Sequence, residues 1–309
     1  MKKNIKLISI IATLILVSII GFIEIGMFKD YGWTLFSIIP FFTGFLPPFI
    51  SGRINAISRN DSFKLSFLTL GIVLISLLVF AIEGIICIAM ALPLSIPLTW
   101  LGSYLGYKLN AGKWINHTNT ILGLFIICIG SMSFDYVNNS ANLISVRTKI
   151  TVDAPIAQVW NNVVTFNKIE EPTDWIFKTG ISYPTDATIK GTGVGAIRYC
   201  NFTTGSFVEP ITTWNEPNLL QFDVIDQPTP MNEFNPFWDI HPPHLDGYFL
   251  SYKGQFKLTK LNENQTELEG TTWYKVDITP EKYWKTWSDF IIHRIHLRVL
   301  NHIKLETEK

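Results

Sequence analysis

Crossing the roughly 30 Å hydrocarbon core of a bilayer takes about 20 apolar residues in a helix. The first 137 residues of this chain hold five runs that approach or meet that requirement. They are Ile5–Phe28, Gly32–Ile50, Leu65–Ile82, Ile85–Tyr107 and Asn119–Val137. The third and fourth form one stretch whose only charge is Glu83. As a single helix rising about 1.5 Å per residue it would be about twice as long as the core is thick. It is therefore read as two helices that turn at Glu83-Gly84. Gly32–Ile50 carries Pro40, Pro47 and Pro48 and is the least regular, so a re-entrant segment is its alternative to a crossing. The first run is long, lacks a small-x-small cleavage site and precedes further hydrophobic runs, so it is not a cleaved signal peptide.

Charge divides the chain in two. The 25 Lys+Arg and 25 Asp+Glu of the 309 residues balance, which excludes a strongly basic nucleic-acid binder and an acidic disordered chain. Up to Leu143 there are nine bases and five acids, and beyond it 16 bases and 20 acids. The expected organisation is a membrane domain over 1–137, a polar linker over 138–144 and a water-soluble domain over 145–309. Five crossings put Lys2, Lys3, Lys6, Arg53, Arg59, Lys64, Lys108 and Lys113 on one side, against Lys29, Arg147 and Lys149 on the other. Loop bases concentrate on the cytoplasmic side. The expectation is an integral protein of a bacterial cytoplasmic membrane, with its N-terminus inside and its C-terminal domain outside. If Gly32–Ile50 does not cross, that domain is cytoplasmic. Glu24 and Glu83 are intramembrane acids, read either as an ion site or as helix-end groups that reach the interface. Cys87, Cys128 and Cys200 form no pair spaced as a redox or zinc motif.

Beyond the linker the pattern changes to alternation. Val146–Val152 reads as a strand. Asp153-Ala154-Pro155 is a turn, and Ile156, Val159, Trp160 and Val163 are spaced for a helix over Pro155–Val164. A second helical stretch is expected over Phe166–Phe177. Strands follow at Val194–Phe202, Ser206–Trp214, Leu219–Ile225, Tyr248–Leu261 and Thr266–Ile278, separated by turn residues. A long helix, Pro280–Lys304, follows the last strand. Gly191-x-Gly193-x-Gly195 precedes a strand rather than a helix, so it reads as a turn and not a phosphate loop.

Ile150-Thr151-Val152-Asp153-Ala154-Pro155, then Val159-Trp160, and behind them Gly191-Thr192-Gly193-Val194-Gly195, Arg198, Phe202, Gly205 and the terminal helix, resemble the START-like, or SRPBCC, superfamily. This is the group of polyketide cyclase/dehydrase-like and lipid-transfer domains. The resemblance covers about Ser145–Lys309 and none of the membrane half. It implies an α+β helix-grip fold, in which a curved antiparallel sheet grips the long C-terminal helix around a cavity for an apolar ligand. It does not imply one chemistry. The long Pro- and aromatic-rich insertion Asp226–Gly247 departs from the pattern.

Alternation along the strands gives an apolar inner face whose polar minority is Arg198, Tyr252, Thr272 and Tyr274. A few convergent polar groups in an apolar cleft are what a ligand site needs. A two-residue hairpin at Thr203-Thr204 would set Arg198 against Glu209, whereas a bulge at Gly205 would set it against Pro210. On the terminal helix, Trp284, Trp287, Ile291, Ile295 and Val299 share one arc with Arg298 and His302. His293 and His296 lie three apart, and His293 follows Asp289 by four, a spacing that permits a pair. The ligand-site candidates are Arg198, Glu209, Tyr252, Thr272, Tyr274, His296 and Arg298. Asp239, His241 and His244 are weak metal-ligand candidates in a stiff loop; the expectation is no metal and no cofactor.

The function read from these features is a membrane-anchored START-like domain that binds an apolar or amphipathic small molecule, such as a lipid, and no nucleic acid. The alternatives are a cyclase- or hydrolase-type enzyme using His296, Tyr252 or the Asp239–Asp246 loop, and a membrane sensor or assembly module with a filled core.

Overall fold

A computed structural model describes residues 2–29, 31–111 and 143–309, with isolated residues between 123 and 133. Most of the expected fifth crossing, 119–137, and most of the linker 138–144 lie outside the described residues. The chain divides into two compact units. One holds the N-terminal helices together with Phe234–Pro242 and Ile278–Glu281, and the other holds the sheet and most of the long C-terminal helix.

In the first unit, α1 (Lys2–Phe22) runs into a π-helical turn at Ile23–Phe28 that contains the buried Glu24. A second π turn, Thr34–Ile38, leads into α2 (Ile39–Ile54). Then come α3 (Arg59–Val79) and α4 (Ile85–Ala111). Four stretches are long and apolar enough to cross a membrane: Asn4–Phe28, Thr34–Ile54, Arg59–Val79 and Ile85–Asn110.

The prolines do not break α2, and at Pro48 a side chain takes up the carbonyl that is stranded. Pro48 has no N–H for the carbonyl of Gly44; Ser66 Oγ donates to that carbonyl at 2.6 Å. Thr99 Oγ1 donates to Pro40 O at 3.1 Å. Helices α2 and α4 approach closely through small residues. A Cβ at Gly44 would collide with Thr99 O, and one at Gly102 with Phe41 O. Asn110 Nδ2 closes the contact by donating to Pro48 O and Phe49 O at 3.0 and 2.9 Å.

The last carbonyls of a helix have no donor within it. At the end of α3 they are met by the Pro- and aromatic-rich insertion. Asn235 Nδ2 donates to Leu78 O at 2.9 Å and Trp238 Nε1 to Val79 O at 2.8 Å. Ile85 N, at the start of α4, donates to Phe234 O at 2.8 Å. Thr279 N donates to Tyr31 O, in the link between α1 and α2, at 3.0 Å.

The second unit is a seven-stranded, wholly antiparallel sheet in the order β1-β7-β6-β5-β4-β3-β2. The strands are β1 (Ile144–Val152), β2 (Pro184–Lys190), β3 (Ile197–Phe202), β4 (Gly205–Asn215), β5 (Leu219–Asp223), β6 (Phe249–Asn262) and β7 (Gln265–Val276). The short α5 (Ile156–Val164) buries Val159, Trp160 and Val163, as its spacing predicts. The long α6 (Glu281–Thr307) buries Trp284, Ile292, Val299, Leu300 and Ile303 among others. Trp160, Leu220, Leu268 and Leu300 are among the residues at the centre of the core. The glycine run is the turn between β2 and β3, with Gly191 and Gly193 at φ +93° and +81°.

Two features depart from the expectation. Phe166–Phe177 is not a helix but an extended segment that ends in a 3₁₀ turn at Trp175–Lys178. Its backbone pairs with the edge strand β2, which was not expected: Phe166 N to Ala187 O and Ala187 N to Phe166 O, at 3.1 and 3.0 Å, and Ile169 N to Thr185 O at 2.7 Å. Phe166, Ile169, Ile176 and Phe177 are buried at irregular spacing because the segment lies along a sheet edge.

Candidate functional site

The hairpin at Thr203-Thr204 closes with Phe202 opposite Gly205, and this register sets Arg198 directly against Glu209. No bulge intervenes. Ala196, just before β3, and Arg198 and Cys200 on it are buried, as are Glu209 and Ile211 on β4. Arg198 is 1% exposed and Glu209 5%. Arg198 Nη1 donates to Glu209 Oε2, and Nε donates to Val164 O at 3.4 Å, at the end of α5. The guanidinium carbon lies 5.6, 5.3 and 5.5 Å from the ring centres of Phe166, Phe222 and Phe256. Such contacts offset part of the desolvation of a buried cation. Nη2 has no hydrogen-bond partner among the described residues.

Desolvation, the largest effect, disfavours the charged guanidinium, but Glu209 and the neighbouring Cys200 together outweigh it and raise Arg198, which stays protonated. Burial raises the Glu209 carboxyl above its ordinary range, against the pull of Arg198. Cys200 is pushed up to about 12, chiefly by burial, so its thiol is protonated and unreactive.

A second polar row joins α6 to the sheet. Tyr274 OH donates to Asp289 Oδ1 at 2.7 Å, and Lys285 pairs with the same carboxylate. Asp289 is therefore engaged by these groups rather than by His293. Thr148 Oγ1 on β1 lies 2.8 Å from His293 Nδ1 and 3.1 Å from His296 Nδ1. Thr272 Oγ1 lies 2.8 Å from His296 Nε2. Burial, with His293 beside it, lowers His296 to about 4, so the ring is neutral at ordinary pH. Arg298 donates through Nε to Pro184 O at 3.0 Å and through Nη2 to Glu170 O at 2.6 Å, and stacks over Tyr183. Thr272, Tyr274, His296 and Arg298 thus all make hydrogen bonds to protein groups that fasten the helix. Thr148 was not among the expected site residues. Nothing in its strand distinguishes it until α6 is laid across it.

Tyr252 departs from the expected inner face. The register shifts between Ser251 and Lys253, with Tyr252 the extra residue left out of the pairing with β7, while Phe256 and Leu258 beyond it are buried as the alternation predicts. Tyr252 is 42% exposed, and the Lys275 ammonium sits over its ring. Of the weak metal-ligand candidates, Asp239 and His241 are exposed and His244 is buried in the turn Pro243–Leu245.

At the edge of the grip, an open groove of about 570 Å³ runs between β2, the end of α5 and the end of α6. Its lining is mostly polar and charged, with Asn162, Lys168, Asp186, Thr188 and Glu306 among the residues, and the buried Phe166, Ala187 and Ile303, with Ile189, lie beneath them. Ile189 and Ala187 are the cross-strand neighbours of Arg198 and Cys200. Behind Phe166 lies His302, a buried residue whose ring is edge-on to that of Phe166 at 5.9 Å. Burial lowers the pKa of His302, and its Nε2 has no partner among the described residues.

A curled antiparallel sheet closed over a long C-terminal helix, with an apolar inner wall interrupted by a few polar groups, defines a helix-grip domain of the START-like class. Residues 144–279 match the family model described as polyketide cyclase / dehydrase and lipid transport. No curated protein is significantly similar to the chain in sequence. Among solved structures it is similar to norcoclaurine synthase from Thalictrum flavum, at 14% identity over 56% of this chain and 91% of that one, with a TM-score of 0.36. It is also similar to a protein from Nitrosospira multiformis, at 18% identity over 53% of this chain and 96% of that one, TM-score 0.33. A third is a protein from Bacillus thuringiensis, at 14% identity over 54% of this chain and 100% of that one, TM-score 0.35.

Proposed function

We propose that this protein is a membrane-anchored helix-grip domain that binds an apolar or amphipathic small molecule against the inner face of its sheet, on the outer side of the membrane. The observation that carries the reading is Arg198. A guanidinium is among the costliest groups to bury, and this one lies in a wall of phenylalanines with one of its nitrogens unused. A purely structural core would be cheaper to build from apolar residues. The four apolar helices support the anchoring, and the loop-base asymmetry supports the orientation.

The test is to purify the full chain and analyse its organic extract by mass spectrometry. The expected result is one apolar compound that recurs in stoichiometric amount. It should be lost in the double variant Arg198→Met, Glu209→Leu. A folded protein that repeatedly carries no such compound, and takes up none when offered apolar extracts, overturns the reading.

A further inference from the structure

The hydrogen bonds of Arg198 restrict what its ligand can be. The guanidinium has three nitrogens. Nη1 is taken by the Glu209 carboxylate and Nε by the Val164 carbonyl, which leaves Nη2. A ligand carboxylate or phosphate is normally gripped by two nitrogens side by side. That fork is already divided between two protein acceptors. The positive charge is also already answered by Glu209. A second anion would share one cation with that carboxylate in a wall almost closed to water, where like charges repel strongly.

The route to Nη2 is visible on the edge of the domain. The groove between β2 and the end of α6 has Phe166 and Ile189 in its floor. Ile189 is directly opposite Arg198 across the β2–β3 pair, and the Phe166 ring lies over the guanidinium. One layer of side chain therefore separates the groove from the unused donor. Another neighbour of the Phe166 ring, His302, has a buried nitrogen that is likewise without a partner among the described residues.

Resting on the reading of this domain as a binder, we propose that the groove is the mouth of its ligand site, closed by Phe166. We propose further that the ligand is a neutral apolar molecule carrying a hydroxyl or carbonyl oxygen that accepts from Arg198 Nη2, not a carboxylate- or phosphate-headed lipid. Entry requires that the Phe166 ring, packed in the core between Arg198 and His302, turn aside. The ligand chain then takes the place of the ring against Ala187, Ile189 and Ile303.

The test uses the full chain in phosphatidylcholine nanodiscs and two photoreactive probes, dodecanol and dodecanoic acid, each with a diazirine in the chain. Labelling is carried out at mildly alkaline pH, where the acid is ionised, and adducts are mapped by peptide mass spectrometry. The expected result is labelling by dodecanol of the peptides bearing Phe166 and Ile189, exceeding that by dodecanoic acid by about tenfold or more, the penalty for an uncompensated buried charge. Glu209→Gln removes the resident carboxylate and should raise labelling by the acid to that of the alcohol or above. Equal or stronger labelling by the acid in the unaltered protein overturns the neutral-ligand assignment while the binding reading stands. That comparison holds whether or not the Glu209 variant folds. Labelling of these peptides by neither probe overturns the binding reading and this inference together. Ile189→Trp fills the groove without altering Arg198 and should abolish labelling by dodecanol; unchanged labelling overturns the groove as the mouth.

Discussion

Arg198 and Glu209 face each other across the β3–β4 hairpin, both almost fully buried, and each is the other's charged partner. The pair is worth little net stability, because desolvating two charges offsets their attraction. Removing one member is a different matter. Glu209→Leu leaves a guanidinium buried without its counter-charge and is expected to cost about 3–5 kcal/mol. In a domain of this size that is a fall in Tm of roughly 6–20 °C. Arg198→Met with Glu209→Leu keeps the bulk and removes both charges, and should melt close to the unaltered protein. Thermal unfolding of the three proteins checks this. A double variant as unstable as the single one would show that the two charges are not coupled.

His296 makes the C-terminal domain sensitive to acid. Its folded value of about 4 lies below the ordinary value of about 6.5. Between those two values the unfolded chain binds a proton that the folded one excludes, so folding weakens as pH falls through that window. The stability is complete above about pH 6.5, and the loss amounts to at most about 3 kcal/mol as pH approaches 4. His302, also lowered by burial, acts in the same direction. In denaturant titrations across this range, His296→Gln should have a flatter pH dependence than the unaltered protein. Parallel curves would refute the assignment.

The α2–α4 contact makes a contrasting pair of glycine variants. Gly102 sits where any Cβ meets the Phe41 carbonyl, while nothing lies within 4 Å of a Cβ built on Gly71. Gly102→Val should separate the helices and lower the melting temperature of the detergent-solubilised chain by several degrees. Gly71→Ala should be neutral or gain about 0.5–1 kcal/mol from helix propensity. If both variants melt alike, close approach at Gly102 does not hold the helices together.

Asn235 closes the α3–α4 turn by donating to the Leu78 and Glu83 carbonyls. Asn235→Ala leaves those carbonyls short of a donor in a buried setting, with an expected cost of about 1–3 kcal/mol. Protease sensitivity of the Val79–Ile85 turn in the detergent-solubilised protein should rise accordingly. Unchanged protection would mean that Trp238, whose indole bonds to Val79 O, is sufficient alone.

The orientation proposed from eight loop bases against three has its own check. A reporter fused after Lys309 should be active only in an extracytoplasmic assay. A signal confined to a cytoplasmic reporter would reverse the orientation.

Local patterns were enough to read much of this protein. Four charge-poor runs correspond to the four apolar helices, because a helix long enough to cross a bilayer satisfies its backbone within itself and needs only apolar composition. The Ala154-Pro155 turn and the spacing of Val159, Trp160 and Val163 are equally local, so α5 was legible from residues close in sequence, while the hairpin left Arg198 opposite either Glu209 or Pro210 until the register was seen. What depended on distant residues was not legible. Phe166–Phe177 has apolar spacing that reads as a helix, yet it takes its backbone partners from Thr185 and Ala187 on an edge strand. Tyr252 left the inner face through a bulge whose position depends on the pairing of β6 with β7. Thr148 became the partner of two histidines only when α6 crossed β1. Periodicity records which side of an element is apolar. Which groups meet across elements, and so which nitrogen of Arg198 has no partner among the described residues, is decided by register and packing between segments far apart in the chain.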